Sequence, residues 1–148
     1  MSAADFKIQI LIQRGNFKEA QSLIRARLTE EPDDPDLHLM LAQSLFHLDR
    51  PKEAEVSARK AIGLDPESGL SHEVLAQILI GSSNPKGAEE AVREAMSLDG
   101  DSASLRAILA RIASAQGKYQ KCLEHAEIRI GNRSRQRCLS VLSWYRVK

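Results

Sequence analysis

Residues 35–68 read PDLHLMLAQSLFHLDRPKEAEVSARKAIGLDPES, and this stretch decides the fold. It holds two apolar runs at helical spacing, Leu41, Ala42, Leu45 and Leu48 in the first and Ala54, Ala58 and Ala61 in the second. Asp49-Arg50-Pro51 separates them and Asp65-Pro66 closes the second. Parts of the pattern recur on both sides. Ala54 has counterparts at Ala20, Ala88 and Cys122, each 34 residues from the next, and Leu41-Ala42 recurs as Leu75-Ala76 and Leu109-Ala110. A period of that length means a stack of helix pairs.

The rest of the composition agrees with that reading. The chain has 148 residues, 43% hydrophobic and 28% charged, which suits a soluble domain with a real core. Only 4% of residues are aromatic, so the core must be built from Leu, Ile, Val and Ala. The start runs straight into a helical pattern with no basic and apolar leader, and no apolar run approaches the roughly 20 residues of a membrane span. A soluble, cytoplasmic protein is expected.

Taken in order, helices are expected over about 3–14, 18–29, 35–48, 51–64, 69–81, 84–98, 103–116, 119–130 and 134–147. Gly15 is a natural stop, while Asp34-Pro35 and Asn84-Pro85 each offer a cap followed by a first-turn proline. No strand pattern is present. The small residues at 34-residue spacing let helix axes approach to the lower end of about 8–10 Å, with leucines filling the grooves between them. One unit alone cannot bury its apolar face, so stability comes from stacking.

At this point the residues resemble the tetratricopeptide repeat family. Gly15-Asn16-Phe17-Lys18-Glu19-Ala20 followed by Pro32 looks like the family's turn, second-helix alanine and terminal proline, and 35–68 matches more completely. The repeats fall at approximately 1–34, 35–68, 69–102 and 103–133, with a trailing helix at 134–148. There are departures: Ala4, His38, His72 and Arg106 replace the family's usual Trp, and Lys7-Ile8 stands where Leu41-Ala42 would be expected. The resemblance implies an all-α, right-handed superhelical solenoid of antiparallel helix pairs. It also implies a concave groove, lined by the first helix of each repeat, that binds an extended peptide or a partner helix.

Carried onto this sequence, the groove positions are Gln9, Ile12 and Gln13, then Leu39, Gln43, Phe46 and His47, then Glu73, Gln77 and Ile80, and finally Arg111 and Ser114. Leu39, Gln43, Phe46 and His47 lie on a face distinct from Leu41, Ala42 and Leu45. The cluster of Lys and Asn with which some family members grip a C-terminal carboxylate is absent, because Asp5, Gln9, Gln43, Glu73 and Gln77 fill those sites. A mixed segment anchored near Phe46 and Ile80 is the expected occupant. A merely solvated surface would read the same way in sequence.

Other chemistry finds little support. His38 and His72 are equivalent positions in adjacent repeats, too far apart to share an ion at the ~2.0–2.1 Å that zinc requires, so packing is expected of them. Cys122 sits in the alanine row and reads as a buried small residue. No nucleophile and base arrangement and no phosphate-binding glycine loop appears, so no enzyme activity, metal or cofactor is expected.

The charge is uneven. Net charge is +1, yet six of the 21 basic residues and none of the 20 acidic ones lie between Arg129 and Lys148. A nucleic-acid or anionic-membrane contact is the weaker reading of that tail. Leu139, Leu142, Trp144 and Tyr145 give the last helix an apolar surface that calls for a cover. Either a further helix follows Lys148 in a longer protein, or the surface pairs two copies as a homodimer.

Overall fold

The computed structural model describes residues 3–117, which form seven helices and no strand. They are α1 (Ala3–Gln13), α2 (Phe17–Glu30), α3 (Pro35–His47), α4 (Pro51–Leu64), α5 (Gly69–Gly81), α6 (Pro85–Asp99) and α7 (Ala103–Ala115). The expected helices over 119–130 and 134–147, with Cys122, Leu139, Leu142, Trp144 and Tyr145, lie outside the described residues.

The helix starts follow from local chemistry. Asp34 Oδ1 accepts from the backbone N–H of Asp36 at 2.9 Å and of Leu37 at 3.3 Å, and Asn84 Oδ1 accepts from Gly87 N–H at 3.1 Å. Ser68 and Ser102 cap α5 and α7 in the same way. Pro35, Pro51 and Pro85 open their helices, where the missing N–H costs nothing.

The helix ends repeat as closely as the starts. Gly15, Asp49, Ser83 and Gly117, spaced by 34, all have positive φ, between 59° and 77°. Around the first three, one pair of bonds recurs. Asn16, Arg50 and Asn84 donate back to the carbonyls of Leu11, Leu45 and Leu79, and Gly15, Asp49 and Ser83 donate to Ile12, Phe46 and Ile80. This is a Schellman closure, and it turns the chain by the same amount at each α1–α2, α3–α4 and α5–α6 corner. Glycine adopts this conformation freely, aspartate tolerates it, and serine bears most of the Cβ penalty. Ser83→Gly should therefore stabilise the stack by about 0.5–1 kcal/mol in denaturant unfolding, the relief of strain exceeding the entropy glycine adds to the unfolded chain. A lower midpoint would contradict this account of the corner.

Packing then follows the sequence rows. Ala20, Ala54 and Ala88 are fully buried, as are Ala42 and Ala76. Ile8 fills the corresponding site of α1 and is also fully buried, so the departure from alanine there is absorbed. Each helix packs on its neighbours in sequence, and α3 and α5 both pack on the next odd helix, α5 and α7 respectively. The even helices make no comparable contact with one another. The odd helices are therefore the tighter, inner layer of a curved stack and the even helices the outer one.

Candidate functional site

The inner layer carries side chains in rows that run along the stack, because residues 34 apart take equivalent places on successive odd helices. Gln9, Gln43 and Gln77 make an amide row, all half-buried. Ile12, Phe46 and Ile80 make an apolar row, each partly buried against the core. One helical turn away, Phe6 corresponds to Met40 and stands 60% exposed. It extends the apolar surface at the α1 end, and that register was the signal for it in the sequence.

The candidates do not all remain available. Leu39 is only 6% exposed and belongs to the core cluster. Helical spacing puts it on the open face, but the packing of the stack leaves it covered. Phe46 lies against the end of α5: a Cβ on Gly81 would come within 2.6 Å of its ring. His47 is exposed, and its ring stacks on Phe17 at 4.4 Å between centroids, with Phe46 edge-on at 5.7 Å. His47 thus covers the α1–α2 corner rather than the middle of the groove. Gln13, Arg111 and Ser114 are exposed.

Glu73 is tied across helices, accepting from Ser104 Oγ on α7 and from Gln77 Nε2 at 3.5 Å. His38 is 7% exposed and its Nε2 lies 2.8 Å from the Pro32 carbonyl oxygen, to which it donates as the Nε2–H tautomer. The histidine packs and binds backbone, as expected of it. Among the described residues no group of three His, Cys, Asp or Glu side chains is placed to hold a metal ion. No helix among them is long and apolar enough to cross a membrane.

The electrostatics concentrate at the first two odd helices. A cavity of about 370 Å³ is lined by Asp5, Arg27, Glu31, Asp34, Asp36, Leu37 and Met40, four carboxylates with a single guanidinium. Arg27 occupies the place that Ala61 and Ala95 take in the next units, and Asp5 the place of Leu39. Arg27 Nε–H donates to Asp5 at 3.4 Å, and its terminal nitrogens donate to Glu30 at 2.8 Å and Glu31 at 3.1 Å. The hydrogen bond to Glu30 does most to raise the Arg27 pKa above its ordinary value; burial works against it, and Glu31 and Asp5 add to it. The arginine stays charged at any pH the protein meets. Sequence reading missed this pair, although a charged residue in a row of alanines was the sign of it.

Asp36, Met40, Gln43 and His47 fall at i, i+4, i+7 and i+11, a single stripe of α3 that leads from the acidic cavity to the amide row and the aromatic end. The distance along the axis from Asp36 to Phe46 is about 15 Å at 1.5 Å per residue. A segment lying across the odd helices would meet carboxylates on one flank, amides beneath it and apolar groups on the other.

Corners that repeat every 34 residues, a buried alanine row and a doubled layer of helices all point to one family, and residues 11–78 match its model, described as tetratricopeptide repeat. Residues 11–78 carry tetratricopeptide repeats. The fold is correspondingly similar to solved tetratricopeptide-repeat stacks. A crystal structure of MamA superposes with a TM-score of 0.72 and 21% identity, covering 90% of this chain and 75% of that one. A thermophilic tetratricopeptide-repeat protein from Thermus thermophilus, TTC0263, gives a TM-score of 0.77 at 16% identity, covering 91% and 77%. No curated protein sequence matches this one. The family match supports a protein-interaction scaffold in general terms, and the likeness to solved stacks supports an all-α helical solenoid.

Proposed function

We propose that this tetratricopeptide-repeat chain is a non-catalytic cytoplasmic scaffold that holds a segment of a protein partner along its inner layer. The observation that carries the reading is the pairing of rows, Gln9, Gln43 and Gln77 beside Ile12, Phe46 and Ile80, on helices that face the same way. Amide side chains can donate and accept, so a row of them suits the backbone of a bound segment whatever its sequence. Partly exposed apolar groups beside them supply anchors. Gln77 already donates to Glu73, and a bound carbonyl would compete for that long 3.5 Å bond. The carboxylates beside the groove favour a protein segment over nucleic acid or an anionic membrane, whose phosphates they would repel.

The test is capture of binding proteins by the native chain and by one carrying Phe46→Glu with Ile80→Glu. Capture by the native chain alone supports the groove, and equal capture by both refutes it.

A further inference from the structure

We infer that the groove takes the basic C-terminal stretch of a second copy of this chain, Arg133 to Lys148. The inference rests on the groove reading above and adds an occupant to it. The groove is not uniform from one flank to the other. On the flank formed by the first turns of α1 and α3 it is acidic, with Glu31, Asp34 and Asp36 beside the Asp5–Arg27 pair; among the described residues no cation pairs with Asp36. Toward the last turns of the odd helices it is apolar, with Ile12, Phe46 and Ile80 partly buried.

The stretch 133–148 reads RSRQRCLSVLSWYRVK and has the matching order. Arg133, Arg135 and Arg137 come first, Leu139, Val141, Leu142, Trp144 and Tyr145 follow, and no acidic residue interrupts them. Laid along α3 from its first turn toward its last, its arginines meet the carboxylates and its apolar residues meet Phe46 and Ile80. The opposite direction would set Arg133, Arg135 and Arg137 on apolar groups and bring only Arg146 and Lys148 to the carboxylates, so the match favours a direction as well as a partner. The acidic end of the groove belongs to the first units and the basic stretch to the far end of the sequence. Contact between two copies therefore joins the head of one stack to the tail of the next, which is a heterologous interface.

Sedimentation of the full chain at several concentrations tests this, with two charge-reversed variants. Glu31→Arg with Asp36→Arg reverses exposed groups of the groove, and Arg133→Glu, Arg135→Glu and Arg137→Glu reverse the stretch. The native chain should show mass above the monomer that grows with concentration and declines as salt screens the charges. Each variant alone should lose the heavier species, and an equimolar mixture of the two should recover it. A native chain that stays monomeric at all concentrations overturns the inference, as does self-association that survives both variants or a mixture that fails to recover it. Those failures leave the groove reading standing if partner capture still depends on Phe46 and Ile80. If that dependence is lost too, the groove reading falls with the inference.

Discussion

Ala54→Arg should leave the chain without a cooperative thermal transition and with most of its helical circular-dichroism signal lost. Ala54 is fully buried, and so are its counterparts Ala20 and Ala88. An arginine there needs room that the packed helices lack, an overpacking cost of about 1–3 kcal/mol. It also carries a charge into a site within the apolar core, which costs several kcal/mol per ion after relaxation. Together these are comparable with the whole stability of a small domain, about 5–15 kcal/mol. Position matters as much as size, because α4 packs on both α3 and α5, so a fault there separates the units on either side. Val56 lies on the same helix at 69% exposure, and Val56→Arg should melt where the native chain does. A normal melting curve for Ala54→Arg would show that the alanine row is not the packing seam.

The second large effect concerns binding. Phe46→Glu with Ile80→Glu places two carboxylates where the apolar row is partly exposed, and partner capture should be lost while helical content is kept. Both side chains are partly buried, so each change costs about 1–3 kcal/mol of stability, which a stack of this size tolerates for one pair of substitutions. Phe46 also fills the space over Gly81, and part of its cost comes from that contact. Gln43→Lys with Gln77→Lys alters the neighbouring amide row without removing an apolar group. It should weaken capture too, at less cost to stability, which separates a lost surface from a lost fold.

Much of this architecture can be read from residues alone, because a repeat constrains every copy at once. The helices α4 and α5 end where the apolar period and the punctuation at Asp65-Pro66 and Gly81 require. The corners are less visible. Asp49 and Ser83 adopt a conformation that their identity does not demand, and only their register with Gly15 and Gly117 reveals it.

The groove is legible by row but not by exposure. Helical spacing puts Leu39 with Gln43 and Phe46, whereas its burial comes from packing against the core, which is a property of the stack. His47 is drawn from the groove by Phe17, a partner in a different unit that spacing along α3 cannot see. The Asp5–Arg27 pair likewise joins α1 to α2 through a charge in a place where the next two units put alanine.

The central claim is that the odd helices form one binding surface and the even helices a support. Backbone amide shifts, recorded as a captured partner segment is added to the labelled chain, test it most directly. Changes should concentrate at residues 9–13, 43–47 and 77–81 and be small along the outer faces of α4 and α6, at Lys52, Arg59 and Arg93. Changes concentrated on those outer faces, with the three inner stretches unmoved, would contradict it.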